Sequence, residues 1–180
     1  SPQDTDILTP NNDTTYSWAW RDLRREPVVF ETPDLDEGRY NVFQWFDLYT
    51  HVFASPGSRV AGEDGRTYLF AGPEWDGETP AGVDEVFKAE TDFVGTLTRT
   101  SIAGADDIPA VRAIQHAYRF TPLSEFLGTK APPPADNIYF PVWREELAQT
   151  PAFIGYLNFV LAHVEPNPAD AEVLNSFKAI

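Results

Sequence analysis

The chain is 180 residues long, enough for one domain with a buried core, and its 42% hydrophobic and 14% aromatic content excludes a disordered polypeptide. A formal net charge of −15 and a pI near 4.4 make phosphate backbones and anionic lipid poor partners, so neither nucleic acid nor a membrane surface is expected. Cysteine is absent, which removes disulfides, thiolate metal sites and cysteine nucleophiles, and no apolar run approaches the roughly 20 residues that span a bilayer.

Methionine is absent too, so Ser1 is not a translation start, and the chain reads as a processed product or a piece of a longer polypeptide. Near its beginning, "TPNNDTTYSWAW" (9–20) sets two Asn and an Asp before a run of aromatics. Asn and Asp bond readily to their own neighbouring backbone, so a tight turn is the favoured reading, with Tyr16, Trp18 and Trp20 as the core-facing side of the strand that follows. The alternative is that Asn11, Asn12 and Asp13 present oxygens to a polar ligand or to a hard cation such as calcium or magnesium.

Residues 27–101 alternate short strands with turns. "PVVFET" (27–32), a strand at 66–71, "EVFKAE" (85–90) and "DFVGTLTRTSI" (92–102) are rich in β-branched and aromatic residues. Asp64-Gly65 is a hairpin signal, and Asp76-Gly77 a second turn. "YNVFQWFDLYTHVFAS" (40–55) reads as one long central strand, with Asn41, Phe43, Trp45, Asp47, Tyr49, His51 and Phe53 on one face. A carboxylate there needs a partner. Either Asp47 forms a structural salt bridge, with Arg99 the obvious cation, or Asp47, Tyr49 and His51 line a pocket.

From Ala105 the period changes. "GADDIPAVRAIQHAYRF" has early acidic residues, a Pro in its first turn and an apolar stripe of Val111, Ile114 and Tyr118, which predicts a helix. A Pro-rich linker (128–136) and a short helix around 141–148 follow. Thr150-Pro151 and Asn167-Pro168 then introduce two more helices. Their stripes are Phe153, Leu157, Leu161 and Val164, then Val173, Leu174 and Phe177. The order, strands first and helices second, predicts an α+β fold: an antiparallel β-sandwich or barrel, jelly-roll-like, followed by a helical segment. Residues 1–127 form the sandwich domain, ending in one helix, and 128–180 lead towards a further C-terminal domain. No nucleophile elbow, phosphate loop or metal-ligand motif is present.

"TPNNDTTYSWAWRDLRREPVV", "GRYNVFQWFDLYTHVFASPGSR", "TYLFAGPEWDGETPAGV", "TRT" and "DDIPAVRAIQHAYRFTPLS", in that order, resemble a bacterial family, the domain of unknown function numbered 1254. The resemblance runs from about Ile7 to Ser124. It implies a β-sandwich with a helical insert, an oligomer, a position behind a signal peptide, and a second domain, numbered 1214, completing the polypeptide. It implies no reaction. Where the family tends to have Asn, this chain has His51.

The expectation is therefore a ligand-binding or assembly domain of an exported or envelope-associated, extracytoplasmic protein. Its ligand would be carbohydrate or another small polar molecule, and its partners other copies of itself and its own C-terminal domain. The residues expected at the ligand are Asn11, Asn12, Asp13, Tyr16, Trp45, Asp47, Tyr49 and Arg99. The competing expectation is part of an enzyme acting on a small polar substrate, with Asp47 and Tyr49 as acid/base candidates.

Overall fold

In the computed structural model, residues 11–164 and 168–177 are described. Eight strands form two four-stranded sheets. The first contains β1 (Thr14–Asp22), β3 (Asn41–Phe46), β4 (Val52–Ala54) and β7 (Phe93–Ser101), in the order β1-β7-β3-β4. The second contains β2 (Val28–Glu31), β5 (Thr67–Ala71), β6 (Glu85–Lys88) and β8 (Arg119–Pro122), in the order β6-β5-β2-β8. Pairing is antiparallel throughout except for β5 with β6, which run parallel. Neither sheet closes on itself, so the architecture is α+β with two open sheets rather than a barrel.

The sheets meet through aromatic rings. Trp45 and Phe43 of β3 project inward with Val94 of β7, against Phe30 of β2 and Tyr68 and Phe70 of β5. The Trp45 indole stacks on Phe70 with centroids 3.6 Å apart, and Phe30 meets Phe43 edge-on at 4.8 Å. Such rings bury large areas, and the edge-to-face contact of Phe30 with Phe43 is among their preferred geometries.

Several expectations need correction. Residues 40–55 are a hairpin, not one strand: β3 stops at Phe46, the chain turns over 47–51, and β4 returns. The reversal passes through Thr50, at φ +63°, a conformation that the absence of glycine here hid from the sequence. Asp64-Gly65 does not join paired strands. It follows a single helical turn, α1 (Ser58–Ala61), and Gly65 N–H donates to Asp34 Oδ1 at 2.7 Å, while β5 pairs with the distant β2. The helix expected from Ala105 onward is α2 (Ile108–Ala117), with Val111 and Ile114 buried as its stripe predicts. It ends at Tyr118, and the chain re-enters the second sheet as β8 before one more turn, α3 (Leu123–Phe126).

Over 129–144 there is no regular structure, and the expected helix at 141–148 is a 3₁₀ turn, Glu145–Leu147. Thr150 accepts from Ala152 N–H at 3.3 Å ahead of α4 (Phe153–Leu161). That helix docks by a face other than the predicted one. Phe159 packs on Phe140 and His163 on Phe93, while Phe153, Leu157 and Leu161 are exposed and only Val164 of the expected stripe is buried. The sequence of α4 is apolar nearly all round, so periodicity lacks the contrast to choose a face. In α5 (Ala171–Phe177) Val173 is exposed. Asn167 and the side chains of Leu174 and Phe177 lie outside the described residues.

Candidate functional site

β1 is an edge strand, and its alternation places Tyr16, Trp18 and Trp20 outward, not in the core. Trp18 and Trp20 are 65% and 56% exposed. The face turned towards the second sheet carries Thr15, Ser17, Ala19 and Arg21 instead. Its neighbour β7 continues this polar surface. Thr96, Thr98 and Thr100 are buried and pair in register with Ala19, Ser17 and Thr15. Phe30 of β2, Phe120 of β8, Gln115 of α2 and Tyr118, just past the end of that helix, form the opposite wall. Between them lies a cavity of about 230 Å³.

Two small networks shape this cavity. Gln115 Nε2 donates to Ser17 Oγ at 2.9 Å and Thr15 Oγ1 at 3.3 Å, tying α2 to the edge strand. Asn41 Nδ2 donates to Tyr118 OH at 2.7 Å, and that hydroxyl also meets Thr100 Oγ1 at 2.9 Å. Burial pushes the Tyr118 phenol above its ordinary pKa despite both bonds, so it stays protonated and available as a donor.

Arg21 is the unusual member. Its guanidinium carbon sits 3.8 Å over the centre of the Phe120 ring, and Nη1 donates to the Trp20 carbonyl at 2.9 Å. Nε is buried without a hydrogen-bond partner, and no carboxylate lies within ion-pair distance among the described residues. Burial pulls its pKa below the usual arginine value with no carboxylate to restore it, although a guanidinium remains charged. Acidic residues outnumber basic ones by 28 to 13, so the missing counter-ion does not reflect a shortage of carboxylates. Arg21 also lines a cavity of about 380 Å³ beside Phe120 and Pro122, and another of about 510 Å³ on the outer side of the first sheet, beside Trp20, Phe93 and Phe159. Thr96 Oγ1, Trp45 Nε1 and Asn41 Oδ1 are likewise buried without protein partners.

The residues expected from the sequence are placed elsewhere. Asn11 caps its own turn: Oδ1 accepts from the N–H groups of Asp13 and Thr14, and Nδ2 donates to Thr14 O. Asn12 is exposed, and Asp13 O accepts from Ile102 N–H at 2.9 Å, so the turn fastens the start of β1 to the end of β7. Asp47 lies at the other end of that sheet, beyond Phe46, whose partner is Gly95. The turn and Asp47 therefore do not meet. Nor does Arg99 reach Asp47. It pairs with Val42, points outward and lies 5.2 Å from the Tyr16 ring, because alternation sends it to the face opposite Asp47. Tyr16 is on that same outer face, and Trp45 is core. Asp47 and Tyr49 share the turn with His51, the Tyr49 and His51 rings 5.9 Å apart.

Ser17, Arg21, Thr96, Thr98, Gln115 and Tyr118 were not anticipated. Their signal was present as the period-two series Ser17, Ala19, Arg21 and Thr96, Thr98, Thr100, obscured because hydrophobicity alone assigns the aromatic side of β1 to the core.

The chain is similar to the VPA0106 protein from Vibrio parahaemolyticus, solved by crystallography, with 30% sequence identity and a TM-score of 0.77. The alignment covers 94% of this chain and 41% of that one, so the chain spans well under half the length of its relative. No curated protein matches it. The family model described as "Protein of unknown function (DUF1254)" matches residues 1–122, about two thirds of the sequence, and the chain belongs to that family.

Proposed function

We propose that this domain binds a small hydroxyl-bearing carboxylate, such as a sugar acid or hydroxy acid, between the edges of its two sheets. The observation that carries this reading is Arg21, half-buried and, among the described residues, without a carboxylate partner, in the wall of the inter-sheet cavity and of the neighbouring one beside Phe120. A bidentate carboxylate is the natural complement of a guanidinium. The surrounding Ser17, Thr96, Thr98, Gln115 and Tyr118 offer the hydroxyl and amide groups that hydroxyl-bearing ligands need. Titration of the intact chain with glucuronate and malate, and with glucose as a neutral control, tests it. Saturable binding of a carboxylate, weakened about tenfold or more in Arg21→Met, is expected, since hydrogen bonds to charged groups contribute about 1.5–3 kcal/mol. Equal binding of glucose, or wild-type affinity in Arg21→Met, would sink the proposal.

A second reading rests on the outer face of β1. Tyr16, Trp18 and Trp20, exposed at alternate positions, form an aromatic row that suits stacking on a neutral oligosaccharide. Trp18→Ser would abolish polysaccharide retention under that reading and leave carboxylate binding intact. The assembly role belongs to another surface. Tyr139, Val142, Ile154 and Leu157 expose apolar area that a further domain of a longer polypeptide, or another copy, would cover.

A further inference from the structure

The turn between β3 and β4 draws together three groups that the inter-sheet cavity does not use. His51 Nδ1 lies 3.7 Å from Asp47 Oδ2 and 3.9 Å from Glu90 Oε2, and one ligand atom from each of the three residues lies within 4.8 Å of the others. Asp47 is only 1% exposed. Its Oδ1 accepts from His51 N–H at 2.9 Å, whereas Oδ2, turned towards the imidazole, is buried with no hydrogen-bond donor. No Lys or Arg forms an ion pair with Asp47 or Glu90 among the described residues. A buried carboxylate oxygen in that position needs a proton, a cation or a metal.

We propose that Asp47, His51 and Glu90 bind a divalent transition-metal ion of the zinc type. Ligand atoms about 2.1 Å from a tetrahedral ion stand roughly 3.4 Å from one another. The two separations from the imidazole therefore exceed that spacing by a few tenths of an ångström and the Asp47–Glu90 separation, within 4.8 Å, by no more than about 1.4 Å, and His51 and Glu90 are exposed enough to make that adjustment. Asp47 is the fixed member. Its N–H donates to His51 O, its carbonyl accepts from Thr50 N–H, and Leu48 N–H donates to Thr91 Oγ1 at 3.2 Å, which joins the turn to the segment beside Glu90. One imidazole and two carboxylates suit zinc or manganese better than calcium, which takes six to eight oxygens. Two carboxylates and a neutral imidazole also leave a charge that one divalent ion offsets, with a fourth position open to solvent.

Calorimetric titration of the intact chain with zinc chloride, with calcium chloride as control, tests the assignment. One equivalent of zinc is expected to bind saturably and to raise the melting temperature, with calcium showing neither effect. His51→Ala alters an exposed side chain and should leave the fold intact while weakening zinc binding about tenfold or more. Glu90→Gln should act in the same direction. Absence of one-to-one binding, or wild-type affinity in His51→Ala, would overturn the proposal, and loss on His163→Ala instead would place the ion elsewhere.

Discussion

Replacing Arg21 by methionine separates a binding residue from a structural one. Removing the buried, unpartnered Nε–H relieves a desolvation penalty of about 1–3 kcal/mol. Against that, the cation–π contact over Phe120 is worth about 0.5–1 kcal/mol and the bond to the Trp20 carbonyl about 0.5–1.5 kcal/mol. The methionine stem still covers the Phe120 ring, so apolar contact is largely kept. The sum runs from about −1.5 to +2 kcal/mol, centred near zero. Urea denaturation with linear extrapolation should therefore place Arg21→Met close to wild type while carboxylate binding is lost. A loss above about 3 kcal/mol is the size associated with breaking a buried structural charge interaction. Such a result would refute the reasoning, because it would mean that Arg21 holds the two sheets together rather than serving a ligand.

Phe30 touches Phe43, Trp45, Phe70, Tyr118 and Phe120, and Phe30→Ala should lower stability by about 3–5 kcal/mol; a change below about 1 kcal/mol in chemical denaturation would contradict the described core. Gly57 bridges to Val42 so closely that an added Cβ would meet the Asn41 carbonyl oxygen and stand 2.8 Å from Val42 Cα. Since backbone cannot swing aside as a side chain can, Gly57→Ala should depress the melting temperature sharply, and an unchanged melting curve would rule out this approach. Arg39 hydrogen-bonds both oxygens of Asp107 and, with the Ala103 N–H, lowers its pKa from 3.8 to about 2. A folded pKa below the unfolded one stabilises above roughly pH 4, and that contribution fades as pH falls towards 2. The stability difference between wild type and Arg39→Gln should shrink across this window, and a constant difference would exclude the linkage.

Local physics made much of the chain legible. Strands β2, β5, β6 and β7, the stripe of α2 and the self-bonded turn at Asn11 follow from β-branched and aromatic composition, helical period and Asx chemistry, all of which act within a few residues. Alternation defines two faces of β1 but carries no label for which one turns inward. That was decided by the second sheet, by α2 and by Tyr118, which cover the side bearing Ser17 and Arg21 and leave Trp18 and Trp20 in solvent. The break after Phe46 was hidden for a different reason, since Thr50 takes a left-handed conformation without glycine to announce it. Once the chain turns there, Asp47 faces His51 rather than Arg99. Contacts between residues far apart in sequence depend on register and on which sheet each strand joins. The guanidinium of Arg21, buried at Nε without a carboxylate among the described residues, and the carboxylate cluster therefore exist only in the folded molecule, where packing sets the distances and burial makes the missing partners matter.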